Sequence, residues 1–248
     1  LENTLDDQTQ LKIVLYDFNE EFSPSLGDIC INIDEFSEKL MNSAIVILAI
    51  HQCCIIGFVA IYANDRQTKT AFISLIAVKP DFYGRGISAQ LLSRAEDYAY
   101  QHGMTSIKLE VRQDNLRAIK FYNNHGYEKV SQSNNSFFFE KSLKSIIKKA
   151  LLTYCTNDKV DLSQSNVNEP TISHRLAVYL ENKISGYSVD CEYNKVLTSS
   201  GCIDKSNTNG DVVRPDIIVH KRNKDHRNGF IANLIVLELK KAGIASKK

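Results

Sequence analysis

One short stretch of this 248-residue chain joins residue types that can handle an anion. Gly84-Arg85-Gly86 follows an apolar run, Phe72 to Val78, and Pro80. It precedes Ile87, Leu91, Leu92, Ala95, Tyr98 and Ala99, which recur at helical period. A strand, a glycine turn and a helix start put unpaired N–H groups at the positive end of a helix dipole, where a phosphate binds. Gly84 and Gly86 let the main chain approach such an anion closely, and Arg85 adds a cation. The same arrangement also serves as a plain strand-to-helix turn.

The elements that must position this loop can be read in order. Residues 1–10 are polar, Leu11 to Phe18 reads as a first strand, and Ile33 to Met41 as a short helix with Phe36 and Leu40 on one face. Ala44 to Ile50 and Cys54 to Tyr62 read as a hairpin whose tip is His51-Gln52-Cys53. Asn64 to Gln67 is a turn, and Thr70 to Val78 is the strand that enters the glycine loop. His102-Gly103 stops the following helix. Ile107, Leu109 and Val111 alternate as in a half-buried strand. Asn115 starts a second helix, Leu116 to Asn124, closed by Gly126, before strands Tyr127 to Val130 and Ser136 to Phe139. The expected class is mixed α/β, a central mixed sheet flanked by helices.

Two stretches resemble the GNAT superfamily of N-acyltransferases. The acyl-CoA signature of that superfamily is Gln or Arg, two residues, Gly, one residue, then Gly or Ala. Here Gly86 matches, whereas Tyr83 and Ser88 depart from the usual residues. Further on, Asn115, Ala118, Tyr122, Gly126 and Tyr127 fall at the spacing of the same superfamily. The resemblance covers residues 11–143 and implies transfer of an acetyl group from acetyl-CoA to a primary amine of a small molecule or protein.

It also implies roles. Leu75, Ile76, Ala77 and Val78 lie on a strand that splays from Leu109 to Val111 and pairs through its backbone with the pantetheine arm. Tyr83, Gly84, Arg85, Gly86, Ile87 and Ser88 cradle the pyrophosphate through backbone N–H groups. Asn115 and Ala118 line the cofactor arm, and Asn115 equally suits a helix N-cap. Tyr122 is the candidate general acid, or else a core aromatic of its helix. The base is Glu110, a water chain, or no residue at all if the amine arrives neutral.

The second half carries another pattern. Lys141 to Cys155 interleaves lysines with Leu143, Ile146, Ile147, Leu151 and Leu152, an amphipathic helix expected to link the halves, with residues 144–168 as helix and linker. Glu169 opens a helix with Ile172, Leu176 and Leu180 on its buried face. Three strand-like runs follow, Tyr187 to Tyr193, Asp216 to His220 and Asn233 to Leu239, carrying Pro215-Asp216 and Glu238-Leu239-Lys240. Residues 169–248 thereby resemble the restriction-endonuclease-like superfamily, PD-(D/E)xK. That resemblance implies Asp216, Glu238 and Glu169 around Mg²⁺ or Mn²⁺, Lys240 orienting the attacking water, and Glu192 and Arg175 behind them. Only eight residues follow Lys240, so this second α/β core is expected to be incomplete. The alternative functions are a metal-dependent nuclease regulated by the first half, or a nucleic-acid-binding module that delivers the transferase.

Composition narrows the class. An apolar content of 43% and a charged content of 24% fit a water-soluble, cytoplasmic protein, and no apolar run approaches a membrane span. No signal peptide is visible, and the chain opens on Leu1, not Met. The six cysteines show no C-x-x-C pair, which points to reduced thiols rather than a disulfide or zinc framework. Residues 1–140 carry 12 Lys and Arg against 18 Asp and Glu, and residues 141–248 carry 18 against 11, so the second half is compatible with a polyanion such as nucleic acid and equally with a solvated basic surface. The oligomeric state is not assigned by any of these features.

Overall fold

The computed structural model describes residues 8–22, 25, 32–158, 169–184, 187–191, 195–198, 201–204, 216–220 and 233–239. The chain divides into two compact units, Leu1–Ser142 and Leu143–Lys248.

The first unit begins with α1, Gln8–Asp17, and α2, Ile33–Ser43. The expected strand from Leu11 to Phe18 is therefore helical, and burial shows why. Leu11, Val14, Leu15 and Phe18 recur at three- and four-residue steps and are buried, while Ile13 and Tyr16 are 63% and 56% exposed. A strand would bury alternate residues, whereas this phase lays one stripe of a helix on a sheet. Asn32 caps α2 by accepting a hydrogen bond from the Asp34 N–H at 2.9 Å.

β1, Ile45–His51, and β2, Cys54–Tyr62, form the expected hairpin with His51 opposite Cys54. Gln52 and Cys53 at its tip take φ of 47° and 61°, the double left-handed geometry whose twist matches the flanking strands. β3, Thr70–Val78, pairs antiparallel with β2. α3, Ile87–Gln101, then crosses over to β4, Ser106–Arg112, which pairs parallel with β3. α4, Leu116–Asn124, leads into β5, Glu128–Gln132, and β6, Ser136–Ser142. The six strands lie in the order β1-β2-β3-β4-β6-β5.

Both faces of this sheet are covered. On one, Leu11, Leu15 and Phe18 of α1 and Leu40 of α2 pack with Val46, Leu48 and Phe58. Phe18 stands edge-on to Phe58 with ring centroids 5.3 Å apart. On the other, Leu91, Leu92, Ala95 and Ala99 of α3 meet Val59, Ile61, Ile73, Ile107 and Leu109. Each fully buried Leu, Ile or Phe stabilises the fold by about 1.5–3 kcal/mol, so the helices fix the strands firmly. The closest approach is at Gly57 of β2, where a Cβ would lie 2.9 Å from the Ala77 carbonyl oxygen and 3.2 Å from Leu91 Cδ1.

The second unit opens with α5, Leu143–Asn157, which packs against α6, Glu169–Glu181. The Tyr154 and Tyr179 rings meet at 6.4 Å. Asp158 accepts a hydrogen bond from the Tyr179 hydroxyl at 2.8 Å and lies 3.7 Å from the Arg175 guanidinium. The amphipathic helix falls within the second unit, and residues 159–168 lie outside the described residues. Leu176 and Leu180 of α6 are buried as expected. β7, Ser188–Cys191, is followed by a hairpin of β8, Lys195–Thr198, and β9, Gly201–Asp204, which the sequence reading does not anticipate. β10, Ile217–His220, and β11, Asn233–Leu237, complete an antiparallel sheet in the order β7-β10-β11. Among the described residues no helix is long and apolar enough to cross a membrane.

Candidate active site

The parallel pairing of β3 with β4 covers only four positions, from Thr70 opposite Ser106 to Ile73 opposite Leu109. Beyond them the strands part, as the first resemblance implies. The separation starts at Ser74, where β3 also bulges against β2: Leu75 pairs with Ala60, and Ile73 with Ile61. From Ser74 to Val78 the β4-facing edge of β3 has no strand partner. The opened space is a cleft of about 440 Å³, lined by Ser74 to Val78 on one wall and Leu109 to Arg112 on the other.

The glycine loop begins immediately after that edge. Pro80–Phe82 is a single 3₁₀ turn, closed by the Tyr83 N–H donating to the Pro80 carbonyl at 3.0 Å. The Tyr83 amide is therefore engaged within the loop, and Tyr83 is among the residues that line the cleft. Gly84 and Gly86 take φ of 76° and 75°. Nothing lies within 4 Å of where a Cβ would stand on either, so each is flanked by open space. Gly86 supplies no side-chain cap to α3. The first helical bond in this turn is Gln90 N–H to Gly86 carbonyl at 3.1 Å, which leaves the amides of Ile87, Ser88 and Ala89 ahead of the helical ladder. Uncapped amides beside two glycines in open space can take a phosphate group, and an unpaired strand edge can pair with backbone-like amides.

α4 supplies the far wall. Asn115 caps it, its Oδ1 accepting from the Ala118 N–H at 3.0 Å, so the capping reading of that residue holds. Asn115, Ala118 and Tyr122 all line the cleft, together with Arg117 and Phe121. Tyr122 is only 5% exposed, and burial pushes its phenol well above the ordinary value of 10.0. Its ring sits edge-on to Phe121 at 5.1 Å and Tyr127 at 5.6 Å. The position is at once core and cleft wall.

Charge in the cleft is unevenly neutralised. Glu110 is exposed on β4 and lies in the lining, on the opposite side of the strand from buried Ile107, Leu109 and Val111. Arg112 is held by Asp114 through hydrogen bonds of 2.7 and 3.1 Å, and that bond holds the Asp114 carboxyl below its usual range. Arg117 lies over the Tyr83 ring, 4.0 Å from its centroid. Arg85 lies over Phe82 at 5.0 Å and is not among the lining residues. Sequence reasoning missed Glu21, Phe22, Arg117 and Phe121. Glu21 and Phe22 arrive from the 3₁₀ turn after α1 and its end, and carry no motif that would announce them.

The second set of candidates is only partly described. Ile217 pairs with Leu237 in antiparallel register, so Asp216 and Glu238 flank one end of the β10–β11 pair. Asp216 Oδ2 accepts a hydrogen bond from the Leu239 N–H at 2.5 Å. Lys240, Glu192 and the side chain of Glu169 lie outside the described residues. Among the described residues no group of three or more His, Cys, Asp or Glu is placed to hold a metal ion.

A mixed sheet that opens between two parallel strands, with the opened strand feeding a glycine loop and an uncapped helix, is an α/β fold suited to an extended anionic ligand. Residues 12–127 match the model of the Acetyltransferase (GNAT) family. A stretch of 77 residues, 29% of this chain, is 39% identical to an uncharacterized N-acetyltransferase of Methanocaldococcus jannaschii, spanning 34% of that protein. A stretch of 55 residues, 22% of this chain, is 44% identical to an acetyltransferase of Pectobacterium atrosepticum, spanning 39% of it. The chain thus spans little more than a third of the length of these relatives. Among solved structures, 56% of the chain resembles 98% of the PaiA N-acetyltransferase of Thermoplasma acidophilum in complex with coenzyme A, at 20% identity and a TM-score of 0.47. The ribosomal-protein-S18-alanine N-acetyltransferase of Escherichia coli is similar over 57% of this chain and 92% of its own, at 18% identity and a TM-score of 0.47.

Proposed function

We propose that the first unit transfers an acetyl group from acetyl-CoA to a primary amine of a small molecule or protein, by direct attack within a ternary complex. The observation that carries this reading is the unpaired edge of β3, Ser74 to Val78, opening into a cleft that continues to the uncapped start of α3. Acetyl-CoA, when bound, supplies an acetyl group already activated as a thioester.

The residues of the chain divide the remaining work. The β3 edge offers backbone N–H and C=O groups that hold an extended arm and orient a carbonyl beside them. The amides of Ile87, Ser88 and Ala89 take negative charge at the helix start. Glu110 contributes a carboxylate within the cleft lining that can take the proton of an incoming ammonium, and Glu21 adds a second carboxylate that favours a cationic acceptor. The Tyr122 hydroxyl keeps its proton because burial disfavours the phenolate, so it is available as a donor to a departing thiolate.

The test is calorimetric titration of acetyl-CoA into the full chain and a Gly86→Glu variant. Gly86 adopts a left-handed φ and opens on empty space, so the new side chain would bring strain and a carboxylate to the phosphate position. Binding by the wild type that vanishes in the variant supports the reading. A folded wild type that binds no acetyl-CoA overturns it.

A further inference from the structure

The geometry points to Arg117, laid over the Tyr83 ring, as the side chain that reads the diphosphate of the donor in this protein. This rests on the acyl-CoA reading above and adds to it a residue and a device that the signature pattern does not contain. Position 83 carries Tyr where the pattern has Gln or Arg, and its amide is already engaged with the Pro80 carbonyl, so it brings the loop neither a charge nor an available N–H. Arg85, the cation inside the loop, is folded over Phe82 outside the cleft lining. Of the two arginines in the lining, Arg112 is neutralised by Asp114 through two hydrogen bonds. Arg117 remains, with no acidic partner among the described residues.

Its placement is specific. The guanidinium comes from the first turn of α4, on the wall opposite the glycine loop, and its carbon is 4.0 Å from the centroid of the Tyr83 ring. A guanidinium held over an aromatic ring can keep its planar N–H edge free, the edge that pairs with two phosphate oxygens at once, and no acidic partner claims it among the described residues. The departure from the signature at Tyr83 thereby acquires a purpose. Tyr83 is a platform that holds across the loop the charge that a longer basic side chain would otherwise supply from within it.

The experiment compares CoA, 3′-dephospho-CoA and pantetheine as ligands of the full chain, by titration or by competition against labelled CoA, for the wild type, Arg117→Ala, Arg117→Lys, Tyr83→Ala and the double variant. Arg117 and Tyr83 are both exposed, so thermal melts are expected to match the wild type. Arg117→Ala should weaken CoA and dephospho-CoA alike, by about tenfold or more, and leave pantetheine unchanged. Arg117→Lys should recover only part of the loss, because a lysine carries the charge without the planar fork. Tyr83→Ala should weaken CoA in the same direction, and the double variant should be little worse than Arg117→Ala alone. Unchanged CoA affinity in Arg117→Ala, an equal loss for pantetheine, or a loss that disappears with dephospho-CoA would overturn the assignment. A wild type that fails to bind CoA would remove the acyl-CoA reading itself, whereas a wild type and variants that all bind CoA equally well would remove only the role of this pair.

Discussion

Lys141 Nζ of β6 lies 3.0 and 2.9 Å from the two carboxylate oxygens of Glu96 on α3, and the two side chains are only 11% and 12% exposed. This buried ion pair ties the central helix to the far side of the sheet, next to the Tyr127 ring. Removing one partner strands the other charge in a place water barely reaches, so Lys141→Met should cost about 3 kcal/mol or more in denaturant unfolding. Adding Glu96→Leu to that variant should restore much of the loss. A double variant no more stable than Lys141→Met would contradict this account.

Activity should separate the two candidate proton carriers. Tyr122→Phe keeps the ring packing against Phe121 and Tyr127 and deletes only the hydroxyl, so kcat should fall by about 10²-fold with little change in the KM for acetyl-CoA. Glu110→Gln should lower kcat by a similar order while CoA affinity stays constant, since the residue lies on the wall away from the glycine loop. Steady-state kinetics on any accepted amine would decide, and a variant with full kcat would remove that residue from the mechanism.

Stability should show an alkaline limit. Burial raises the Tyr122 phenol above the ordinary value of 10.0. Tyr127 is pushed well above it too, by burial first and then by the charges of Glu96, Tyr100 and Tyr122. A group whose folded pKa exceeds its unfolded value contributes stability that is complete below the unfolded value and is lost as pH rises beyond it. The melting temperature should therefore hold through neutral pH and fall above about pH 10, the range in which an unfolded phenol ionises. In Tyr122→Phe that fall should be shallower. Equal slopes in the two proteins would show that the phenol does not couple to unfolding.

Gly57→Ala tests how tightly the cleft strand is clamped. The added methyl would meet the Ala77 carbonyl, Val78 and Leu91 within 2.9–3.2 Å, and two of those three residues belong to the cleft strand itself. The expected cost is about 1–3 kcal/mol in unfolding, together with weaker CoA binding, because the strand must shift to make room. Unchanged stability would mean that β2, β3 and α3 are less closely packed than the distances indicate.

Much of this was legible in the chain, and the failures have physical reasons. The glycine loop, the Asn115 cap and the bounds of β3 and α4 follow from local rules: positive φ, capping and alternation act over a few residues. α1 was misread because Leu11-Lys12-Ile13-Val14-Leu15-Tyr16 is rich in residues that favour strands, and only packing against Phe58 and Leu48 selects the helical phase. Arg117 sits beside Ala118 in the recognised run but carries no motif, and its meaning depends on Tyr83, which folding brings to it. Glu21 and Phe22 join the cleft from across the sheet, a relation that no local spacing encodes. In the second unit, β7, β10 and β11 form where three strand-like runs are expected, with an unanticipated hairpin between them, and the register sets Asp216 beside Glu238 without a metal-binding group among the described residues.

The unpaired edge of β3 has one more implication, for how this protein can change over generations. A ligand held along Ser74 to Val78 is gripped by atoms that every amino acid except proline provides. Side chains there can drift with the demands of the core while the grip persists, which explains why Leu75-Ile76-Ala77 looks like any apolar strand. Only proline deletes an amide, and a single Ile76→Pro exchange would remove what no other replacement at that position can.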